Sequence, residues 1–159
     1  MNTIILPYTT EPFTACPAFP EKSSITRPIV LTYLEYDGKT LPFKFGSIID
    51  SGADTCVFPA LFGEKIGIPV RDGKPLDTKG IGSDTAYYHM IKVCVELNCE
   101  IFRFECWAGF MYSLDTVGKG LLGRHGFFEL FRSVSFNKEH VELIPVKAPV
   151  NQPMESLPL

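Results

Sequence analysis

The chain has 159 residues, of which 45% are hydrophobic and 21% are charged, and its formal net charge is −3. This composition excludes an intrinsically disordered chain, and the small negative charge gives no electrostatic basis for binding nucleic acid or an anionic membrane surface. No apolar run approaches the roughly 20 residues of a membrane-spanning helix, and residues 1–10 lack the basic and apolar regions of a signal peptide. We therefore expect one soluble, cytoplasmic domain, rich in β-structure because the chain holds 13 Gly and 13 Pro.

The cysteine pattern gives little sign of a metal or a disulfide framework. No CxxC pair occurs among the five cysteines, and the three histidines have no ligand spacing beside them. Reduced thiols are the favoured interpretation, and a metal site built from Cys94, Cys99 and Cys106 is a minor alternative. No cofactor and no metal are predicted.

The first part of the chain indicates an extended arm followed by a β-hairpin. Residues 1–24 hold four prolines, which cannot donate to a sheet ladder, so this segment should be an arm or at most an edge strand. Residues 29–36 and 41–49 are rich in β-formers and are separated by Asp37-Gly38, a strong hairpin signal. The second strand of that hairpin ends at Asp50.

The turn Asp50-Ser51-Gly52 is the first candidate functional motif. A carboxylate at the end of a buried strand is costly unless it is hydrogen-bonded or shares a proton. The small residues Ser51 and Gly52 permit a tight turn in which backbone and hydroxyl groups can reach the carboxylate. The same tripeptide also occurs in ordinary surface turns, so the surrounding sequence has to distinguish a functional motif from such a turn.

Two further segments follow this turn. Residues 59–68 predict a short helix, with Pro59 at its start and Gly67 at its end. Gly80-Ile81-Gly82 is typical of a mobile hairpin tip. It is a poor phosphate loop because neither Lys-Ser/Thr nor a helix comes after it.

The second half of the chain indicates two hairpins and a helix. Residues 88–97 and 101–108 alternate apolar and polar side chains around a turn at Asn98-Cys99, which predicts a hairpin. Leu121-Leu122-Gly123-Arg124 precedes a predicted helix whose apolar face holds Phe127, Leu130 and Phe131. Residues 133–136 and 140–145 predict a closing hairpin, and residues 147–159 a loosely held tail.

Three motifs occur in the order found in retroviral-type aspartic peptidases (retropepsins), and residues 25–146 resemble that family. The motifs are Ile49-Asp50-Ser51-Gly52-Ala53-Asp54-Thr55, Gly80-Ile81-Gly82 and Leu121-Leu122-Gly123-Arg124. The resemblance implies a small, closed, mostly antiparallel β-barrel with one or two short helices, between the arm (1–24) and the tail (147–159).

The resemblance also implies roles for particular residues. In that family a glycine-rich flap covers the substrate, the strand of the last motif passes beside the catalytic loop, and its arginine pairs with the aspartate after the catalytic motif. The implied catalytic residues are Asp50, Ser51 and Gly52. The implied substrate-binding residues are Ala53, Asp54, Gly80, Ile81, Gly82 and Leu121. The implied structural supports are Asp54, Leu122, Gly123 and Arg124.

The implied activity is hydrolysis of a polypeptide by two carboxylates that share a proton. Because the chain has one Asp-Ser/Thr-Gly, it supplies half a site, and the resemblance implies a homodimer with a second Asp50 across a two-fold axis. Two alternatives stay open: a non-catalytic peptide-binding or dimerisation module on the same fold, and an unrelated β-barrel with an accidental Asp-Ser-Gly. No nucleic acid or membrane partner is expected.

Overall fold

The computed structural model describes residues 2–77 and 84–146, which are mostly β-structure. The strands are β1 (Ile4–Pro7), β2 (Thr9–Pro12), β3 (Ser24–Arg27), β4 (Ile29–Tyr36), β5 (Lys39–Thr40), β6 (Phe45–Ile49), β7 (Val57–Pro59), β8 (Lys74–Asp77), β9 (Thr85–Leu97), β10 (Glu100–Met111), β11 (Gly120–Leu122), β12 (Phe131–Phe136) and β13 (His140–Pro145). The helix α1 spans Ala60–Lys65, and 3-10 turns occupy Val70–Asp72, Tyr112–Leu114 and Phe128–Leu130.

The largest sheet closes into a six-stranded barrel. Its order is β5-β4-β6-β11-β7-β10-β9-β8, and β4 also pairs with β9, which joins the two sides of the sheet. The inward side chains of these strands form a single core that excludes water, with Leu34, Phe58, Val93 and Phe110 at 0% exposure. The predicted closed β-barrel is confirmed.

The hairpin that leads to Asp50 is confirmed in part: β4 ends at the predicted turn, but the strand predicted at 41–49 is wrong over residues 41–44, where Pro42 lacks an N–H for a ladder, and β6 begins at Phe45. Asp37 and Gly38 have φ angles of 47° and 75°, the left-handed pair that a tight hairpin turn requires. Strand β4 runs antiparallel to both β5 and β6, with Ile29 opposite Ile48. Residue 50 therefore follows directly from a strand that is hydrogen-bonded inside the barrel.

The long hairpin of β9 and β10 is also confirmed, with Leu97 opposite Glu100. Its turn residues Asn98 and Cys99 have φ angles of 48° and 67°. The alternation predicted from sequence places one set of side chains in the core: Ile91, Val93, Val95, Leu97, Phe102, Phe104, Cys106 and Ala108.

A separate three-stranded sheet of order β1-β13-β12 joins the first and last described strands. The predicted closing hairpin is present as β12 and β13, and β1 lies on its edge, with Ile4 opposite Leu143. Strands β2 and β3 form a further hairpin, with Glu11 opposite Ile25. The proposed domain limits at residues 24 and 146 stay predictions, and the tail at 147–159 lies outside the described residues.

The predicted helix at 59–68 is confirmed as α1, but the helix predicted after Arg124 is wrong. Only the 3-10 turn Phe128–Leu130 forms there, and Phe131 already belongs to β12, opposite Pro145. Strand pairing with β13 competes with helix formation, and the Leu130 carbonyl accepts a hydrogen bond from the Val146 N–H at 2.9 Å. Phe127 and Phe131 still pack together in the core, with ring centroids 5.2 Å apart.

None of the helices in residues 2–77 and 84–146 is long and apolar enough to cross a membrane. All five cysteines are unpaired, and Cys56, Cys94 and Cys106 are buried. The reduced state of the thiols stays a prediction.

Candidate active site

The loop after β6 presents the Asp50 carboxylate at the barrel surface. Asp50 is half-buried, whereas Ser51 and Gly52 are exposed. The Gly52 N–H donates to Asp50 Oδ1 at 2.9 Å, and the Ala53 N–H donates to the Asp50 carbonyl at 3.2 Å. The turn therefore fixes its own carboxylate, because one carboxylate oxygen is held by the backbone two residues later.

Strand β11 holds this loop from the other side. It lies parallel to β6, with Leu122 opposite Ile49, and antiparallel to β7, with Leu121 opposite Val57. The Asp50 N–H donates to the Leu122 carbonyl at 3.0 Å. Since β11 lies between the two strands that enter and leave the loop, both ends of the loop are attached to the same short strand.

Gly123 brings the backbone after β11 against the loop. A Cβ atom at this position would overlap the carbonyl group of Thr55 and would lie 2.8 Å from the Ala53 carbonyl oxygen. The next two backbone amides use this proximity: Arg124 N–H donates to Ala53 O at 2.9 Å, and His125 N–H donates to Asp54 O at 2.8 Å. Only glycine fits, because its neighbours are backbone atoms that cannot rotate away.

The buried thiol of Cys56 completes this contact. Its Sγ accepts from the Gly123 N–H at 3.4 Å and donates to the His125 carbonyl at 3.5 Å. A hydrogen bond with the Cys106 thiol lowers the pKa of Cys56, and the same bond raises the pKa of Cys106. Cys56 thus joins the strand leaving the loop to the segment after β11, a role that the sequence did not indicate.

Asp54 and Arg124 lie close in the backbone, but their side chains are both exposed. They line one depression of about 440 Å³ together with His125, Phe128 and Glu129. His125 Nδ1 lies 3.4 Å from Glu129 Oε1, whereas no Asp54–Arg124 ion pair is present within the described part of the chain. The bridge between Asp54 and Arg124 stays a prediction.

The other predicted site residues divide into two groups. Ala53 and Leu121 are half-buried beside the Asp50 loop, and Leu122 is fully buried beneath it. Gly80, Ile81 and Gly82 lie outside the described residues. The strands on either side of them are paired, with Asp77 opposite Thr85 and Lys74 opposite Tyr88.

A hydrogen bond between Thr55 and Tyr88 was not predicted from the sequence. The two hydroxyl oxygens are 2.8 Å apart, and the Tyr88 ring reaches Thr55 across Gly109 of β10. The available signal was Gly109 itself, because a glycine inside a strand often marks a close approach of another group.

The described residues contain no group of three or more His, Cys, Asp or Glu side chains placed to hold a metal ion. The side chains present at the loop offer the chemistry of a carboxylate acting as an acid or a base, with a serine hydroxyl beside it.

The fold defined by this barrel is the retropepsin-like fold, as the three motifs predicted. No protein-family model matches the sequence, and no curated protein matches it. A retropepsin-like aspartic protease from Rickettsia conorii is similar in structure, with a TM-score of 0.52 over 89% of this chain and 90% of that chain, at 15% sequence identity. EIAV protease complexed with the inhibitor HBY-793 matches 65% of this chain and 84% of that chain, with a TM-score of 0.36 and 17% identity.

Proposed function

We propose that this protein is an aspartic endopeptidase that acts as a homodimer. The observation that supports this most directly is the position of the Asp50 carboxylate, which lies at the start of a loop whose two ends are both attached to β11. Such a loop is rigid, which suits a group that has to be held within a fraction of an ångström of a reacting bond.

The proposed reaction uses Asp50 of one protomer and Asp50 of the partner subunit. Two carboxylates a few ångströms apart cannot both ionise, so they share one proton. The ionised carboxylate takes a proton from a water molecule, which attacks the carbonyl carbon of the peptide bond. The protonated carboxyl donates its proton to the carbonyl oxygen, which gives a tetrahedral gem-diol. The carboxyl that took the proton from water then passes it to the leaving nitrogen, the C–N bond breaks, and the other carboxylate recovers a proton from a gem-diol hydroxyl, so the pair again shares one proton.

The solvent exposure of the Asp50 loop supports a two-fold contact between protomers at this loop. Ser51 and Gly52 are exposed, and Asp50 is only half-buried, so this loop is open to a second copy. In an isologous interface the same patch meets itself, which brings the two Asp50 side chains together at the axis. The Ser51 hydroxyl and the Gly52 N–H would then brace the pair.

The proposed substrate is an extended polypeptide. Ala53, Asp54 and Leu121 lie next to the catalytic loop and are proposed to contact the peptide, as is the Gly80-Ile81-Gly82 segment between β8 and β9. We further propose a reducing compartment such as the cytoplasm, because all five cysteines are unpaired.

The decisive experiment compares Asp50→Asn with the wild type on a mixed peptide library read by mass spectrometry. An amide cannot act as a base towards water, so we expect cleavage to fall by at least about 10²–10⁴-fold with an unchanged circular dichroism spectrum. Asp72→Asn is the matched control, since Asp72 is exposed on a 3-10 turn, and it should cleave like the wild type. Equal cleavage by Asp50→Asn and the wild type would refute the proposed mechanism.

Dilution gives an independent test of the dimer. Because each chain supplies half a site, specific activity should fall as the dimer dissociates, in parallel with the dimer fraction from sedimentation. Constant specific activity in samples that sediment as monomers would contradict a shared site.

A further inference from the structure

The side chain of Tyr88, a residue of β9, extends over the neighbouring strand β10. It stands on β9 directly opposite Gly109 of β10. A Cβ atom at position 109 would lie 3.1 Å from Tyr88 Cζ and 3.3 Å from the Tyr88 hydroxyl oxygen. The ring therefore occupies the space that a side chain at 109 would fill, and the glycine lets it pass over β10.

The far end of the ring reaches the strand that leaves the catalytic loop. The hydroxyl groups of Tyr88 and Thr55 form a hydrogen bond of 2.8 Å, and both residues are half-buried. Thr55 follows Asp54 directly and forms an isolated parallel bridge with His125, next to the backbone contact made by Gly123. The bond thus spans three neighbouring chain segments, from β9 over β10 to the end of the loop.

The β8–β9 hairpin, which carries Tyr88, is also attached to the barrel by contacts that do not involve the Asp50 loop. The Asp84 carboxylate accepts from the Ser113 N–H at 3.0 Å. The guanidinium of Arg71 lies 4.4 Å from the Tyr112 ring centroid and contacts the Tyr87 hydroxyl at 3.5 Å. These contacts hold the hairpin to the segment after β10, whereas Thr55–Tyr88 ties it to the catalytic loop.

We propose that Thr55 and Tyr88, meeting across Gly109, are positioning residues that set the distance between the β8–β9 hairpin and the Asp50 loop. The inference rests on the proposed peptidase function, in which a substrate lies between these two elements. Neither hydroxyl has to touch the reacting atoms. The pair should therefore act on substrate binding, which appears in KM, and leave kcat nearly unchanged.

The test combines hydrogen exchange with peptide kinetics on five variants of the full chain. Tyr88→Phe and Thr55→Val each remove one hydroxyl with little change in shape, and Thr55→Ser keeps the hydroxyl. Tyr87→Phe is the matched control, because it removes a hydroxyl contact that attaches the same strand to Arg71, away from the Asp50 loop, so it should leave KM unchanged.

In Tyr88→Phe and Thr55→Val, which lack the Thr55–Tyr88 hydrogen bond, the amides of residues 84–90 should exchange about two- to tenfold faster than in the wild type. This is the range expected from losing one hydrogen bond. KM should rise by a similar factor in Tyr88→Phe and Thr55→Val, with kcat within about twofold of the wild type. Thr55→Ser should restore both properties. The double variant Thr55→Val/Tyr88→Phe should be no worse than either single variant, since both remove the same bond.

Two outcomes would overturn the inference. Unchanged exchange in Tyr88→Phe would show that the bond does not hold the hairpin, and this result needs no activity. Equal effects of Tyr87→Phe and Tyr88→Phe on KM would show a general response of the strand. If the wild type cleaves no peptide, the proposed function fails by itself, and the exchange measurement alone decides whether the pair links the hairpin to the loop.

Discussion

Substituting Gly123 by alanine is the sharpest test of the geometry that holds the Asp50 loop. The new methyl group would overlap the Thr55 carbonyl and would stand 2.8 Å from the Ala53 carbonyl oxygen. Both neighbours are backbone atoms, so relief requires the segment after β11 to move away from the loop.

The expected loss of stability follows from two contributions. Overpacking against a rigid backbone costs about 1–3 kcal/mol. The movement also weakens the hydrogen bonds from Arg124 N–H to Ala53 O and from His125 N–H to Asp54 O, which contribute about 1 kcal/mol each. We therefore expect Gly123→Ala to lower the free energy of unfolding by about 3–5 kcal/mol, a large share of the roughly 5–15 kcal/mol typical of a domain.

Urea unfolding measures this loss, and Gly118→Ala provides the control. Gly118 has a φ of 67°, but a Cβ atom added there would meet no other atom within 4 Å, so alanine should cost only the backbone strain of about 1–2 kcal/mol. Peptide cleavage by Gly123→Ala should fall by more than its folded fraction predicts, since the Asp50 loop shifts. Equal losses of stability in the two variants would refute the argument that Gly123 is required by a close backbone approach.

Three further predictions address other parts of the molecule. In a double-mutant cycle of Asp54→Asn and Arg124→Met, the predicted bridge requires a coupling energy of roughly 0.2–1 kcal/mol, the range for exposed pairs, because both side chains are exposed, and zero coupling would remove the predicted bridge. The Asp84 pKa is lowered from its ordinary 3.8 chiefly by a hydrogen bond from the Ser113 side chain, so this stabilisation is present above pH 3.8 and is lost as the pH falls through the lower folded-state pKa. The difference between the urea midpoints of Ser113→Ala and the wild type should therefore be fully present at about pH 7 and should shrink as the pH falls below 3.8, and a constant difference would contradict this. Ile4→Ala should cost about 2–5 kcal/mol in urea unfolding, because Ile4 is 7% exposed, and a negligible cost would mean that β1 is dispensable.

The parts of the fold that were predictable from sequence are those fixed by local chemistry. Asp37-Gly38 adopts the left-handed turn that this pair favours, Asn98-Cys99 adopts a similar turn although Cys does not favour it, and the flanking alternation sets the faces of the strands. The position of Asp50 at the end of β6 followed from the first of these hairpins. The supporting role of Gly123 was implied by the resemblance of Leu121-Leu122-Gly123-Arg124 to the family motif.

The parts that were not predictable depend on contacts between distant segments. The apolar spacing of Phe127, Leu130 and Phe131 suits a helix, but Phe131 pairs with Pro145 in a sheet that includes β1. The Thr55–Tyr88 bond likewise depends on the barrel register that places Tyr88 opposite Gly109. Alternation fixes which face of a strand is buried but does not choose among registers that differ by two residues, because these satisfy the same pattern.

The pairing of β1 with β13 has a consequence for how the chain is made. Residues 4–7 are synthesised before the barrel strands, whereas their partner, residues 140–145, is synthesised after them. Until residues 140–145 are available, the backbone of β1 is unpaired and the side chains of Ile4 and Leu6 are exposed to solvent. Such a segment can pair wrongly with strands of other chains. Closing this sheet joins segments far apart in sequence, and such contacts form slowly. A nascent chain that stalls before residue 140 should therefore hold β1 unprotected, however well its barrel hairpins have already formed.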